Sequence, residues 1–404
     1  MGRVSKAAFA ASIFYAAVIG PSPAQPGPAP LKIGVLSDFS SVYADFGGMG
    51  NVEAAKLAIE EFGGSMFGKP IELVTADALN KPDVAVSIGR KWYENEGVDM
   101  IIDMPTSAVA LAVMELSKQY EKILIVTDAA SSDITGKYCS PYTAQWTYDT
   151  YANAHTVGGA IVKNGGDSWF FITVDYVFGH SIERDTGEVV RAAGGKVLGS
   201  ARTPLNTADF SSFLLQAQSS KAKIIGLANA GGDTINAIKQ AGEFGIVAGG
   251  QNLAAMVMFI TDVHSLGLNL AQGLITTEAY YWDLNDKTRA FGKRFFERMK
   301  RMPTMNQAAT YSGTLHYLNA VKAAGTRDTK AVLAKMRETP IHDAFTENGS
   351  LREDGRMVHS MFLFQVKTPG ESKGPWDYYK LLAEVPGDQV FRPMKDGGCP
   401  FVKQ

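Results

Sequence analysis

One stretch of the sequence is suited to hold a negatively charged ligand. Thr106, Ser107 and Ala108 follow an apolar run and open a predicted helix. The first N–H groups of a helix have no intrahelical acceptor and lie at the positive end of its dipole, so they can bind a carboxylate. The hydroxyl of Ser107 is a further donor. The alternative is a plain helix cap, for which Ser and Thr are common.

Two residues of a later stretch could meet the other end of such a ligand. Glu278 follows a predicted buried strand, and its carboxylate could bind an ammonium, amide or hydroxyl group. It could equally be a cap or half of a salt bridge. Tyr281 is either a wall of the site or a packing residue, because side chains alternate in direction along a strand.

Other small and polar residues also follow predicted strands, at the edge where open α/β sheets bind ligands. Among them, Tyr176 could donate to a ligand or belong to a solvated turn, and Tyr43 could cover an apolar ligand group or pack in the core. The full set of candidate binding residues is Ser40, Ser41, Tyr43, Thr106, Ser107, Ala108, Ala129, Ser131, Tyr176, Asn229, Gly231, Glu278 and Tyr281.

No recognised catalytic signature accompanies these candidates. Gly47, Gly48 and Gly50 lack the spacing of a dinucleotide-binding loop, and the sequence contains neither GxxxxGK followed by Ser or Thr nor GxSxG. The six histidines are scattered, without HExxH or a zinc-like Cys/His spacing. We therefore expect a binding protein rather than an enzyme, with no cofactor and no metal site.

Strands and helices alternate along most of the chain. The run from Leu31 to Leu36 predicts a buried strand, and apolar residues at helical spacing from Val52 to Phe62 predict the helix after it. The same order of strand, polar loop and helix returns from Trp169 onward. We therefore predict an α/β fold of two Rossmann-like lobes with parallel sheets and a cleft between them.

The order of elements predicts a hinge in which the chain crosses between the lobes three times. Residues 138–150 form the first crossing, the chain returns near Trp282, and it crosses again into a hairpin. This hairpin has a tight turn at Asp354-Gly355 and a second arm from Met361 to Val366. The predicted N-terminal lobe is 31–148 plus 284–347, and the C-terminal lobe with its tail is 149–283 plus 348–404.

The start of the chain and its charge indicate an exported protein without a nucleic-acid partner. Residues 1–30 predict a signal peptide and linker, with a basic start and an apolar segment from Ala7 to Ile19 that is too short for a typical membrane span. A disordered tail is the alternative. We expect cleavage between about Gln25 and Leu31 and a periplasmic mature protein. The net charge of the 404 residues is −2, which gives no electrostatic case for nucleic acid.

The two cysteines predict a disulfide. Cys139 and Cys399 are an even count in a chain expected in an oxidising compartment. Two unpaired surface thiols are the alternative. Pairing would tie the C-terminal tail to the first crossing.

Several stretches, in their order and spacing, resemble a known family. The start KIGVLSDFSSVYADFGGMGNVEAAKLAIEEF, then GKPIELVTADALNKPDVAVSIGRKW, TVDYVFGH and PLNTADFSSFL are similar to the periplasmic substrate-binding proteins of branched-chain amino acid ABC transporters. The similarity extends from about Leu31 to Val366. It implies the Leu/Ile/Val-binding-like, type I periplasmic binding protein fold, whose lobes close around a ligand.

The resemblance also implies where the ligand lies. A carboxylate seat corresponds to Thr106 through Ala108, with help from Ala129 to Ser131. Contacts from the second lobe correspond to Tyr176, the turn at 229–231 and Glu278, which would hold an α-ammonium in an amino acid binder. The first loop and the hinge depart from the runs usual in the family.

We therefore expect a protein that captures a small carboxylate-bearing ligand, an amino acid or an aromatic acid, and delivers it to an ABC permease. The permease would be its one link to the membrane. Two alternatives stay open at this point. The chain could be a ligand-sensing receptor for a membrane signalling protein, or a member that binds amides or urea.

Overall fold

The computed structural model describes residues 1–2 and 29–402. The predicted signal peptide and its cleavage site therefore fall outside the described residues, apart from the first two residues. The strands are β1 (Lys32–Ser37), β2 (Ser65–Met66), β3 (Lys69–Pro70), β4 (Glu72–Asp77), β5 (Met100–Asp103), β6 (Ile123–Val126), β7 (Thr143–Gln145), β8 (Ser168–Val174), β9 (Lys196–Thr203), β10 (Ile224–Ala228), β11 (Asn252–Ala255), β12 (Ile275–Glu278), β13 (Ser350–Leu351), β14 (Met357–Val358), β15 (Met361–Val366) and β16 (Tyr379–Val385).

Helices follow most strands of the two parallel sheets. The α-helices are α1 (Gly48–Phe62), α2 (Pro82–Lys91), α3 (Ser107–Gln119), α4 (Thr150–Asn153), α5 (Gly159–Lys163), α6 (Val177–Ala192), α7 (Ser211–Ser219), α8 (Gly232–Glu243), α9 (Ile260–Leu266), α10 (Leu268–Ala271), α11 (Asp286–Met299), α12 (Met305–Ala324), α13 (Thr329–Glu338) and α14 (Gly387–Val390). Short π-helical turns occupy Trp92–Glu96 and Ala154–Gly158.

The first lobe is built on a parallel sheet with the order β4-β1-β5-β6-β7. Every residue of β5 and β6 is buried, as expected for central strands covered by helices on both faces. In the sheet register, Leu36 of β1 lies beside Asp103 of β5, which lies beside Val126 of β6. The loops that follow these three strands therefore leave the sheet at one edge.

The second lobe is built on a parallel sheet with the order β11-β10-β8-β9. The second lobe also contains an antiparallel sheet with the order β12-β15-β16. Helix α12 packs along α1, so the helices after β12 return to the first lobe. The structure thus has the predicted α/β fold of two Rossmann-like lobes, joined by a hinge of three crossings.

The hinge segments are held against one another by buried polar groups. The N–H of Gln145 donates to Gly355 O at 2.8 Å. Arg356 is fully buried, and its Nη1 donates to Tyr148 O at 3.0 Å. His359 Nε2 lies 2.6 Å from Thr147 O. The first and third crossings therefore form one bonded unit, about which the lobes can close.

The predicted hairpin is partly wrong. The turn at Asp354-Gly355 exists, but it joins β13 to the two-residue β14. The stretch Met361–Val366 is not the second arm, because β15 pairs with β12 on one side and β16 on the other. Strand β15 thus pairs with strands other than β13, the partner that a local hairpin would give it. The sequence pattern also missed β7, inside the stretch assigned to the first crossing, and β11.

The predicted disulfide is confirmed. Cys139 and Cys399 are bonded, with Cα atoms 5.5 Å apart and a sequence separation of 260 residues. The bond ties the C-terminal tail to the loop between β6 and β7. Among the described residues, no helix combines the length and apolar character that crossing a membrane requires.

Candidate functional site

A small cavity lies between the lobes, at the carboxyl ends of the parallel strands. The centre of a water molecule can move within only about 10 Å³ of it, roughly the room that one water needs. The lobes are therefore closed on one another. The residues that line the cavity are Tyr43, Phe46, Pro105, Thr106, Ser107, Asp128, Ala129, Ala130 and Tyr148 from the first lobe and hinge, and Tyr176, Phe178 and Ala230 from the second lobe.

One wall of the cavity is the start of α3. Thr106 is the residue that caps this helix, and its Oγ1 accepts from the N–H of Val109 at 3.2 Å. The N–H groups of Ser107 and Ala108 have no acceptor within the helix, as at any helix start. Ser107 Oγ accepts from the N–H of Ser131 at 3.1 Å and keeps its own O–H to donate. The wall thus presents donors, in partial positive charge, to an anionic group.

The opposite walls are aromatic. The hydroxyls of Tyr43 and Tyr176, one from each lobe, are 2.9 Å apart. Phe46 stacks on Phe259 of the second lobe with ring centroids 4.3 Å apart. Burial raises the pKa of the Tyr43 hydroxyl well above its usual value, and the neighbouring Tyr176 raises it further. Both tyrosines are therefore neutral at physiological pH and add no charge that would repel an anion.

Polar contacts between residues 131–133 and α6 also join the lobes. Ser131 Oγ and Ser181 Oγ are 2.7 Å apart. Arg184 pairs with Asp133 at 3.2 Å. Each contact is made by residues of different lobes, so all of them form only in the closed arrangement. These contacts stabilise the closed form without a ligand, and a ligand in the cavity can stabilise it further.

The structure brings five of the candidate residues together around the cavity. Those five are Tyr43, Thr106, Ser107, Ala129 and Tyr176. Four others are not among the lining residues, and they bond within the protein. They are Ser40, whose Oγ donates to Asp77, Ser41, whose Oγ donates to Asp38, Ser131 and Asn229, whose Oδ1 accepts from Thr234. Two more, Ala108 and Gly231, offer backbone groups only, and Gly231 packs under Val42 and Tyr43.

Glu278 and Tyr281 are not among the residues that line the cavity. Glu278 is buried at the end of β12, and its Oε1 accepts from Tyr379 Oη at 3.1 Å. Burial raises the pKa of the Glu278 carboxyl well above its usual value, although the bond from Tyr379 opposes this rise. The hydroxyl of Tyr281 donates to Trp376 O at 3.1 Å. In this closed arrangement, the hydrogen bonds of both side chains are made to Tyr379 and Trp376, not to the cavity.

Seven of the twelve lining residues are not in the list of candidates, and three of them are Phe46, Asp128 and Tyr148. Phe46 lies in a glycine-rich loop, and a single aromatic residue in such a loop does not indicate a binding site. Tyr148 lies in a stretch assigned to the hinge, and its hydroxyl donates to Asp128 O at 3.3 Å. Asp128 itself comes directly after β6, so the rule that ligands bind at strand ends could have included it.

Other features of the surface do not compete with this cavity. A larger groove, of about 860 Å³, lies at the amino ends of β10 and β11, where Ile224 and Asn252 begin their strands. Parallel sheets bind ligands at the opposite edge. Within the described part of the chain, no group of three or more His, Cys, Asp or Glu residues is placed to hold a metal ion.

A pair of α/β lobes that close over a cavity at their strand ends defines a two-lobed solute-binding protein. The model of the periplasmic binding protein family matches residues 30–375, and the chain belongs to that family. Its members are exported proteins that bind small molecules for ABC transporters and are not enzymes. The comparison with curated proteins found no significant match.

Solved structures of the same fold cover nearly the whole chain. A periplasmic binding protein from Burkholderia mallei is 48% identical, with a TM-score of 0.91, over 93% of this chain and 99% of that one. A branched chain amino acid ABC transporter periplasmic ligand-binding protein from Burkholderia xenovorans LB400 is 41% identical, with a TM-score of 0.82, over 92% and 99%. A solute binding protein from Rhodopseudomonas palustris BisB5, in complex with 3,4-dihydroxy benzoic acid, is 22% identical, with a TM-score of 0.80, over 89% and 98%. The last likeness shows the fold alone.

Proposed function

We propose that this protein binds a small carboxylic acid in the interlobe cavity and delivers it to an ABC permease. The observation that carries the proposal is the start of α3. The first N–H groups of this helix have no intrahelical acceptor, and Ser107, whose hydroxyl can donate, lines the small cavity, which suits a carboxylate. The side chain of Thr106 is already occupied by the helix cap and does not compete for the ligand.

Among amino acids and aromatic acids, we propose an aromatic acid. In the part of the chain that the structure describes, the second lobe lines the cavity with Tyr176, Phe178 and Ala230, and none of these is a carboxylate that could pair with an α-ammonium. The carboxylate of the lining is Asp128, which lies on the same lobe as the proposed carboxylate seat and is engaged by Asn51. The aromatic walls favour a flat, apolar body. The amino acid alternative has support from the B. xenovorans relative, whose name gives a branched-chain amino acid transporter.

Closure would couple binding to delivery. A ligand that contacts both lobes stabilises the closed form over the open one, by as much as its affinity for the two forms differs. Because the free space in this closed arrangement is that of about one water, a ligand of the size of benzoate holds the lobes slightly further apart than here. The permease would then recognise the ligand-closed form.

We expect the hydrogen bond between Tyr43 and Tyr176 to stabilise the closed form by a measurable amount. Replacement of either residue by Phe removes one neutral hydrogen bond, about 0.5–1.5 kcal/mol, and weakens binding by about 2- to 10-fold. The double variant should lose no more than either single variant, because both remove the same bond. Calorimetric titration with the tightest acid found below checks this. Fully additive losses would show that the two hydroxyls act separately.

The Glu278→Gln variant tests whether the other end of the ligand carries a positive charge. Because burial favours the neutral carboxyl, Gln mimics the form that burial favours. We expect the variant to bind aromatic acids as tightly as the parent. If amino acids bind the parent instead and the variant abolishes this binding, Glu278 holds an ammonium and the aromatic proposal is wrong. The measurement is calorimetric titration of both proteins with benzoate and with leucine.

Matched pairs of acids and amides test the proposed function. Benzoate, 4-hydroxybenzoate and leucine are compared with benzamide, 4-hydroxybenzamide and leucinamide by thermal unfolding. Saturation at about 100 times the dissociation constant adds about 2.7 kcal/mol to the stability of the folded protein. We expect an acid, but not its amide, to raise the Tm. Equal stabilisation by an amide would support the amide-binding alternative. Copurification with a membrane kinase rather than a permease would support the sensing alternative.

A further inference from the structure

Two buried carboxyl groups lie next to the loops of the seat, and one of them, Asp128, also lines the cavity. Asp103 ends β5 and Asp128 follows β6, and the structure leaves 0% and 3% of these residues exposed. The N–H of Thr127 donates to Asp103 O at 2.9 Å, which fixes the two strand ends side by side. Asp103 leads into the loop that carries Ser107, and Asp128 leads into Ala129. A change in the interaction between these two carboxyls can therefore alter the positions of both loops of the seat.

The two carboxyls differ in their donors. Both oxygens of Asp128 accept from Asn51 Nδ2, at 3.1 Å each. Among the described residues, neither oxygen of Asp103 has a donor in hydrogen-bonding geometry, although the nearby Ser37 and Asn51 side chains favour its charged form. The Asp128 carboxyl, from the loop after β6, lies next to Asp103 and offers a donor only if a proton lies between the two. A buried carboxylate without any donor is strongly disfavoured.

Among the described residues, neither carboxyl forms an ion pair with a Lys, Arg or His. The other side chains that bear on the two carboxyls are Ser37 beside Asp103, Thr127 and Asn306 beside Asp128, and Asn51 beside both. In the described part of the chain, no Lys, Arg or His is among them. The titratable neighbour is Tyr148, which the charge of Asp128 affects. A proton is therefore the one positive charge that the surroundings leave for this pair.

We propose that the folded protein holds one proton between the Asp103 and Asp128 carboxyls, and that this shared proton positions the two loops of the carboxylate seat. Asp103 is the donor and Asp128 the acceptor, which gives Asp103 the hydrogen bond it otherwise lacks. One negative charge is removed from beside a seat for an anion. This second consequence rests on the proposed function, whereas the shared proton itself does not.

The pKa values of both carboxyls agree with this arrangement. Burial raises the pKa of each, and the charge of Asp128 raises that of Asp103 further. In the unfolded chain both aspartates lose their protons near pH 4. Above that pH the folded protein retains a proton that the unfolded chain has released. Stability is therefore lost as the pH rises, until the folded pair itself gives up the proton.

Asp103→Asn tests the proposal without any ligand. Asn is neutral, matches the shape of the protonated acid and keeps a donor for Asp128. The backbone φ of 103° at this position is also open to Asn. We expect the variant to have a Tm about 2–5 °C above that of the parent near pH 8, and no advantage near pH 4. The measurement is the Tm of ligand-free parent and variant between pH 4 and pH 9.

Asp99→Asn is the matched control. Asp99 is a mostly buried aspartate of the same lobe, but its carboxylate accepts from the N–H of Lys32 at 2.9 Å and from Arg327 at 3.3 Å. Its replacement should lower the Tm or leave it unchanged across the whole pH range. A parent and an Asp103→Asn variant with the same pH dependence would overturn the proposal.

A second variant and a spectroscopic measurement decide the matter if Asp103→Asn does not fold. Asp128→Asn removes the shared proton from the other side and should likewise flatten the decline of the Tm above pH 4. In parent protein labelled with carbon-13 at the aspartate carboxyl, the proposal requires two signals that titrate together in two steps, the second above neutral pH. Titration of all aspartates in single steps would contradict it. Because no ligand enters these measurements, their failure would leave the proposed function untouched.

Discussion

Asp in place of Ser107 should abolish the binding of carboxylic acids while the protein stays folded. The new carboxylate would occupy the start of α3, where the ligand carboxylate is proposed to lie. Two unit charges about 4 Å apart repel by about 4 kcal/mol near a protein surface, which weakens binding at least 100-fold. An acidic residue in the first helical turn is favourable for the helix itself, so the fold should persist.

Neutral substitutions at the same position separate charge from size. Ser107→Asn has the shape of Asp without its charge, and Ser107→Ala removes one hydroxyl and keeps the backbone donors. We expect Ser107→Ala to lose only about 0.5–1.5 kcal/mol of binding free energy, or somewhat more for a charged partner. Calorimetric titration with benzoate, with the Tm as a check of folding, compares the three variants. Retained affinity in Ser107→Asp would place the carboxylate elsewhere.

Removal of the disulfide should cause the largest loss of stability. The bond between Cys139 and Cys399 closes a loop of 260 residues, for which the chain-entropy model gives about 5 kcal/mol. We expect the double Ser variant to unfold roughly 5–15 °C below the parent. The tail keeps some attachment, because Arg392 Nη2 donates to Ser132 O at 2.7 Å. Differential scanning calorimetry measures the change.

Reduction of the parent protein is the control for this prediction. Parent protein with dithiothreitol should unfold at the temperature of the double variant, and dithiothreitol should have no effect on the variant. A parent Tm that reduction and substitution both leave unchanged would mean that the bond does not constrain the unfolded chain.

The parallel sheets could be predicted because their signal is local. Central strands such as β6, with the sequence ILIV, are continuous apolar runs that any reader of the chain can find. Strand β11 was missed because it lies at the edge of its sheet, is half exposed and follows a glycine-rich turn. The pairing of β15 was wrong because its partner β12 lies far away in the sequence, at Leu363 against Thr277.

The same distinction between local and distant signals applies to the site. Thr106 and Ser107 could be identified because a helix start is a local feature. Glu278 was expected at the ligand, but its hydrogen-bond partner Tyr379 is 101 residues further along and no spacing rule connects the two. Asp103 was absorbed into a predicted strand, so its juxtaposition with Asp128 became visible only once β5 and β6 were paired.

Mass spectrometry of the small molecules released from protein purified from its native host tests the central claim most directly. The protein is washed, denatured and filtered, and the filtrate is compared with that of Ser107→Asp prepared in the same way. We predict one small carboxylic acid, with an aromatic ring, that is released from the parent and absent from the variant. A neutral or cationic compound, or the same acid in equal amount from both proteins, would contradict a carboxylate seat at the start of α3.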